Sequence, residues 1–308
     1  MTTAQTTLRD DVKLVGTGLH SGRPVHLTVR PAPSGHGIVF DRIDLDGDSR
    51  IKAVYDAVDD TRLCTRIANS SGATVSTIEH LMAAFAGCGI HNALVELDGP
   101  EVPILDGSSA KFVRAFLAAG VVELDAPLKV LRILKPVRFE KGDVWAELTP
   151  GNELSIDFAI DFEDAAIGSQ SLHQNMANGA FVRELSDCRT FCRRADIEFM
   201  RANGLALGGG LENAIVVDGP TVLNPEGFRR SDECVRHKML DALGDLYLAG
   251  APILGAYRSE KGGHATTNLL LRQLFATPDA WELVDCPAGF AHLLPGADIT
   301  ARDLRAVG

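Results

Sequence analysis

The stretch VRHKMLDALGDLY, residues 235–247, carries polar side chains at a regular spacing that helix formation does not require. His237, Asp241 and Asp245 recur every four positions, which places them on one face of an α-helix. The opposite face would anchor the helix in a core through Met239, Leu240, Leu243, Leu246 and Tyr247. The spacing therefore predicts that an imidazole and two carboxylates converge on one ligand, and a metal ion is the simplest such ligand.

A His and an Asp four residues apart on a helix can both bind one Zn²⁺ at roughly 2.0 to 2.2 Å. A catalytic zinc site needs about one further protein ligand and an open position for water. The pattern by itself is also compatible with a solvated helix face or with a simple His–Asp hydrogen bond.

A second informative stretch is STIEHLMAAFAG, residues 76–87. Ser76 or Thr77 precedes Glu79 with the spacing of a capping box, and an apolar helix of small residues is predicted to follow. Glu79 and His80 would lie in its first turn, where one could bind the metal and the other act as a base. A plain capping box is the alternative. The HExxH and HxxEH signatures of zinc proteases do not occur.

A third stretch, YRSEKGGHATTN at residues 257–268, predicts a basic, glycine-rich loop. It would deliver His264 just before an apolar run at residues 269–271. A histidine presented between glycines and a helix can approach a substrate closely, although an exposed loop histidine has no such role.

These stretches and several shorter motifs closely resemble the UDP-3-O-acyl-N-acetylglucosamine deacetylase family, the zinc amidases of lipid A biosynthesis. The shorter motifs, in chain order, are GTGLHSG at 16–22, DTRLC at 60–64, DGPEVPILDGS at 98–108, SDCRTF at 186–191 and NLLLR at 268–272. The resemblance runs through nearly the whole chain and keeps the order of the family's motifs.

The resemblance implies a role for each matching residue. His80, His237 and Asp241 would bind one Zn²⁺, although Fe²⁺ fits the same ligands. Glu79 would act as general base and His264 as its positively charged partner. The remaining implied roles are oxyanion stabilisation by Thr190, orientation of His264 by Asp245, and contacts that line the substrate site from Lys238 and Phe191.

The sequence indicates the residues that contact the substrate less completely than it indicates the metal ligands and the catalytic residues. Lys261 could reach phosphate from the rim of the pocket, and Cys64 lies in a motif expected beside the site. The family's acyl passage would be built by an apolar insertion at residues 192–217. Val144 stands where some family members have lysine, and residues 227–234 and 258–263 also depart from the common pattern, which leaves the nucleotide contacts open.

Composition narrows the functional class. A net charge of −11 over 308 residues argues against a nucleic-acid partner, which would be bound through clustered Lys and Arg. The chain contains no apolar run of about 18 residues, so no membrane span is expected. The first ten residues contain no apolar signal region. The six scattered cysteines are expected to be reduced thiols, which predicts a cytoplasmic protein, and a monomer is expected.

Hydrophobic patterning predicts an α+β fold of two similar two-layer α/β sandwich domains with the active site in the cleft between them. The expected domains are residues 1–125, which supply Glu79 and His80, and residues 126–308, joined by a linker around Pro127. Strands are predicted at 25–29, 91–97, 130–133, 144–148 and 154–162. Helices are predicted after residue 76 and at 108–119, 232–249 and 268–275.

The resulting hypothesis is zinc-dependent hydrolysis of the N-acetyl group of UDP-3-O-(3-hydroxyacyl)-N-acetylglucosamine in a Gram-negative bacterium. One alternative is a zinc amidase that acts on another N-acyl sugar. A second is a catalytically silent protein that binds a metal or ligand with the same fold. Glu79, Thr190 and His264 beside a complete ligand set speak against the silent protein, because binding alone needs no base opposite an acid.

Overall fold

The main sheet of the first half contains strands whose side chains alternate between buried and more exposed, as in Pro24–Pro31. The computed structural model describes residues 3–304. Two helices in this half are α1 (Glu79–Cys88) and α2 (Ala110–Ala119). Its strands are β1 (Ala4–Leu8), β2 (Val12–Thr17), β3 (Pro24–Pro31), β4 (Ile38–Arg42), β5 (Arg50–Lys52), β6 (Val58–Asp60), β7 (Arg66–Ala68), β8 (Thr74–Val75), β9 (Ala93–Leu97) and β10 (Val121–Pro127).

Within the described residues, these strands form a five-stranded sheet of order β2-β3-β9-β4-β5. Strand β9 is central: it runs antiparallel to β3 and parallel to β4, so Val95 lies between Val29 and Phe40. All three side chains are fully buried. Two smaller sheets, β1-β10 and β6-β7-β8, accompany it.

The second half follows the same principle with longer strands, as the fully alternating burial of Leu154–Asp161 shows. Its helices are α3 (Ala180–Glu184), α4 (Arg194–Ala202), α5 (Glu233–Tyr247) and α6 (His264–Phe275). Its strands are β11 (Lys129–Ile133), β12 (Val137–Lys141), β13 (Val144–Pro150), β14 (Leu154–Asp161), β15 (Ser169–Asn175), β16 (Phe191–Arg193), β17 (Ile215–Asp218), β18 (Thr221–Val222), β19 (Ile253–Glu260) and β20 (Trp281–Asp285).

The second large sheet has seven strands in the part of the chain that the structure describes. Its main order is β12-β13-β19-β11-β20, and β14 pairs with both β19 and β15. Helix α5 packs against β14 and β15, and α6 packs against β12 and β13, which makes a helical layer on this sheet. Strands β16, β17 and β18 form a separate small sheet that includes part of the predicted insertion.

The two halves of the chain contact each other through helices α1 and α5. All ten residues of α1, a helix of the first half, are buried, and α5 of the second half packs against it. Gly244 permits this approach: a Cβ at that position would lie 2.1 Å from the carbonyl oxygen of Glu79. The close packing brings the polar stripe of α5 directly to the first turn of α1.

Three local predictions are wrong. The capping box before α1 does not form, because the N-cap is Ile78 and Thr77 instead donates its hydroxyl hydrogen bond to Glu101. The segment around Pro127 is not a linker but the end of β10, which pairs antiparallel with β1. His264 does not lie on a loop before a helix at residue 268. It is the first residue of α6, and β19 extends to Glu260.

The predicted α+β class is confirmed, with two large sheets, each belonging to one half of the chain. The domain division at 125/126 stays a prediction, and residues 1–2 and 305–308 of those ranges lie outside the described part. Across residues 3–304, none of the helices combines the length and apolar character needed to cross a membrane.

Candidate metal and catalytic site

A buried His–His–Asp group lies where α1 meets α5. His80 comes from the first turn of α1, and His237 and Asp241 come from successive turns of α5. Their ligand atoms all lie within 4.8 Å of one another. The Nε2 atoms of His80 and His237 lie 3.5 and 3.2 Å from Oδ1 of Asp241, and all three residues are at most 5% exposed. The stripe is therefore not a solvated helix face.

The hydrogen bonds around this group are those expected of metal ligands. Nδ1 of His237 lies 3.1 Å from the carbonyl oxygen of Cys188, which can only accept, so Nδ1 carries the proton. Burial lowers the pKa of His237 to about 3, so its Nε2 presents a lone pair to Asp241. Among the described residues, Oδ1 of Asp241 is buried and has no hydrogen-bond donor. A cation would relieve these facing lone pairs, and the residues present therefore fit a divalent metal ion.

Glu79 lies beside the metal group with its two carboxylate oxygens in different environments. Oε2 accepts a hydrogen bond from the backbone N–H of Thr65 at 3.0 Å, and Oε1 lies 3.8 Å from Nε2 of His264. Burial raises the pKa of Glu79, although His264 and His80 oppose the effect. A carboxylate with a raised pKa can take a proton and later return it, as a general base does.

His264 is held as a cation by two carboxylates. Its Nδ1 donates to Oδ2 of Asp245 at 2.8 Å. Burial alone would lower the pKa of His264, but the negative charges of Asp245 and Glu79 outweigh burial and raise it to about 9. The imidazole is therefore protonated at neutral pH and faces Glu79 with its second N–H.

Thr190, Phe191 and Lys238 line the same cavity, which has a volume of about 830 Å³. The backbone of Thr190 is fixed on both sides, since its N–H donates to Gly107 and its carbonyl accepts from Ile215, both at 2.8 Å. Lys238 donates to Oδ2 of Asp241 at 3.0 Å, which leaves Oδ1 free for the metal. These three predicted residues are thus close to the His–His–Asp group.

Two predicted residues lie elsewhere. Lys261 pairs with Asp143 at 3.0 Å and with Asp161 at 3.3 Å, and it is not among the residues that line the cavity. Cys64 is buried and is not among the residues that line the cavity, and burial raises the pKa of its thiol to about 12. Neither residue lines this cavity, and a role for either of them in substrate binding stays a prediction.

The structure adds residues that the sequence did not single out. Glu101 is buried and accepts three hydrogen bonds, from the hydroxyl of Thr77 and from the backbone N–H groups of His20 and Ser21. Thr77 has a φ of 58°, a left-handed conformation that is unusual for a β-branched residue, and it lies two residues before Glu79, the first residue of α1. Glu101 lies in the motif at 98–108, but its partners are distant in sequence and gave no local signal.

The predicted insertion forms an apolar cavity next to the first one. Strand β16, helix α4 and the following loop enclose about 320 Å³, and the two cavities share the wall formed by Leu63, Phe191 and Met200. Further apolar lining comes from Ile197, Leu211, Ala214 and Val216. The insertion thus gives the polar site an apolar side chamber.

Comparison with known proteins agrees with this geometry. The family model LpxC, UDP-3-O-acyl N-acetylglycosamine deacetylase, matches residues 5–276. UDP-3-O-acyl-N-acetylglucosamine deacetylase of Shewanella loihica is 50% identical over 295 residues, which cover 93% of this chain and 96% of the relative. The enzymes of the same name from Shewanella frigidimarina (49% identical, 95% and 98% covered) and Idiomarina loihiensis (50%, 91% and 92%) are similarly related. This chain belongs to the UDP-3-O-acyl-N-acetylglucosamine deacetylase family, whose members are metalloenzymes.

Proposed function

We propose that this protein hydrolyses the N-acetyl group of UDP-3-O-acyl-N-acetylglucosamine in lipid A biosynthesis, releasing acetate and a free amine. The observation that carries the proposal is the common cavity that holds the His80–His237–Asp241 group, Glu79 and His264. Hydrolysis of an amide needs a base for the attacking water and a proton for the departing amine, and both groups are present. The relatives named above support the choice of substrate.

We expect one Zn²⁺ at His80, His237 and Asp241, because two imidazoles and a carboxylate are a common ligand set of catalytic zinc. Fe²⁺ would accept the same ligands, so metal analysis of protein purified without added metal decides between them. When bound, the ion would polarise the acetyl carbonyl and lower the pKa of the attacking water.

The protein's own groups complete the reaction. Glu79 takes a proton as water adds to the acetyl carbon, and the carbonyl oxygen gains negative charge. Thr190 lines the cavity, and we expect its hydroxyl to donate to that oxygen. As the carbon–nitrogen bond breaks, protonated His264 supplies positive charge and a proton to the amine. Asp245 holds the imidazole in position throughout.

Substrate binding would use both cavities. The acyl chain would occupy the apolar chamber of about 320 Å³, next to Phe191. Arg62 and Arg193 line the larger cavity, so we expect them, rather than Lys261, to contact the diphosphate. We further expect a monomer in the cytoplasm with no nucleic-acid partner, and light scattering of the purified protein tests the oligomeric state.

The decisive experiment measures acetate release from the UDP-linked, 3-O-(3-hydroxyacyl) substrate by zinc-loaded protein. Glu79→Ala and His237→Ala should each abolish release, and a substrate without the acyl chain should react poorly. Glu123→Ala, at an exposed position away from the cavity, is the matched control and should be fully active. Release from another N-acyl sugar alone would favour the alternative amidase, and absence of release by folded, metal-loaded protein from any such sugar would favour a binding protein.

A further inference from the structure

Thr65 forms hydrogen bonds to two carboxylates of the proposed catalytic site, Glu79 and Asp245. It lies in the turn between β6 and β7, is 1% exposed and uses all three of its polar groups. Its hydroxyl donates to Oδ1 of Asp245 at 2.6 Å, and its backbone N–H donates to Oε2 of Glu79 at 3.0 Å. Its carbonyl oxygen accepts from the N–H of Ile78, the residue before α1.

These bonds orient two carboxylates toward one imidazole. Thr65 occupies the outer oxygen of each carboxylate, Oδ1 of Asp245 and Oε2 of Glu79. The inner oxygens, Oδ2 of Asp245 and Oε1 of Glu79, then face the two ring nitrogens of His264. A charge-assisted hydrogen bond from a buried hydroxyl to a carboxylate is strong and directional, so it can hold this orientation.

The contact also crosses between the two halves of the chain. Thr65 and Asp245 are 180 residues apart, and their hydrogen bond links the β6–β7 turn to α5. It is distinct from the metal group, because within residues 3–304 Thr65 forms no hydrogen bond to His80, His237 or Asp241.

We infer that Thr65 is a positioning residue for the acid–base pair, whose hydroxyl holds Asp245 so that His264 is aligned with Glu79. It contacts no reacting atom in this role. The inference rests on the proposed function for its kinetic consequences, while the geometry that it describes is independent of the substrate. Small errors of alignment at a reacting centre cost large factors in rate, so the hydroxyl should matter for turnover more than for binding.

The test replaces Thr65 by Val, which keeps the shape and the backbone N–H but removes the hydroxyl. We expect kcat to fall by about tenfold to 100-fold, because a small misplacement of catalytic groups can cost a factor of about 100 in rate. KM and bound metal should change by less than about twofold. Thr65→Ser restores a hydroxyl and should recover most of kcat. Thr7→Val is the matched control, because it removes a buried threonine hydroxyl that donates to Asn92 far from the site.

A spectroscopic readout makes the test independent of the substrate. The Nδ1 proton of His264, held by Asp245, should give a downfield NMR signal in the wild type and in Thr65→Ser, and this signal should broaden or shift in Thr65→Val. An active wild type with an equally active Val variant and an unchanged signal would overturn the inference. A wild type without activity would instead refute the proposed substrate, and the NMR comparison would still decide the role of Thr65.

A second pair of variants covers the case in which Val disturbs folding. Thr65→Ala and Thr65→Ser both have small side chains and differ by the hydroxyl. Higher kcat in Ser than in Ala at equal thermal stability supports the inference, and equal kcat contradicts it.

Discussion

Gly244 lies so close to Glu79 that a Cβ on the glycine would be 2.1 Å from the carbonyl oxygen of the glutamate. This contact sets the distance between α5 and α1. It therefore also sets the distance between the metal ligands that the two helices provide, His237 and Asp241 on one side and His80 on the other.

Gly244→Ala should push the two helices apart. Overpacking of a buried contact typically costs about 1 to 3 kcal/mol of folding free energy. We expect a lower melting temperature and weaker metal binding, because the ligands belong to different helices. Gly289→Ala, at a position with no atom within 4 Å of the new Cβ, is the control for thermal melting and metal titration. Unchanged metal affinity in Gly244→Ala would contradict this account of the packing.

Metal binding should stabilise the folded chain. An ion at about 100 times its dissociation constant adds about 2.7 kcal/mol to the free energy of unfolding. Removal of the ion with a chelator should therefore lower the melting temperature of the wild type but not that of Asp241→Ala or His237→Ala. His173→Ala, at an exposed His–Asp pair, should respond to chelator as the wild type does. A chelator effect that persists in His237→Ala would place the metal elsewhere.

The pH profile should report the His264–Asp245 pair. The proposed reaction needs protonated His264, whose pKa is raised to about 9, so kcat/KM should fall as pH rises through about 9. It also needs ionised Glu79, so activity should also fall when the pH drops through the pKa of Glu79, which burial raises. In Asp245→Asn the alkaline limb should move to lower pH, because one of the charges that raises the pKa of His264 is lost. If the alkaline limb of Asp245→Asn stays at the same pH as in the wild type, the limb reports the titration of another group.

The same pair predicts how stability depends on pH. The pKa of His264 is higher in the folded chain than the ordinary value of about 6.5. Its contribution is therefore fully present below about pH 6.5 and is lost as pH rises through about 9. Urea unfolding across this range should show a decrease that is smaller in Asp245→Asn, and an equal decrease in both proteins would assign the pH dependence to other groups.

The apolar chamber should select the acyl chain. Ala214 lines the chamber of about 320 Å³, so Ala214→Leu reduces the available volume. We expect KM to rise for substrates with long acyl chains and to change little for short ones, because only the long chains would reach the added side chain. The ratio of KM values over a series of chain lengths checks this, and an equal effect on all lengths would indicate general damage to the fold.

Much of the chemistry was predictable because it depends on local spacing. The four-residue repeat of His237, Asp241 and Asp245 places them on one helical face whatever the rest of the chain does. The alternation in residues 154–161 likewise predicts a half-buried strand. Family motifs then indicated Glu79, His80 and His264 as partners, and all three lie next to the stripe in the structure.

The failures have a common physical cause, because each depends on a competing long-range partner. Thr77 could have capped α1, but buried Glu101, 24 residues away, takes its hydroxyl. Pro127 was expected in a linker. In the structure it ends strand β10, which pairs with β1, more than 120 residues earlier in the chain.

Local periodicity therefore determined which side chains share a helix face or a strand face, since that depends only on backbone geometry. The burial of the stripe, the contact of α1 with α5 at Gly244 and the link from Thr65 to Asp245 arise from packing between residues far apart in the chain. No spacing encodes such contacts, because they form only when the two halves of the chain pack together and exclude water from the surface between them.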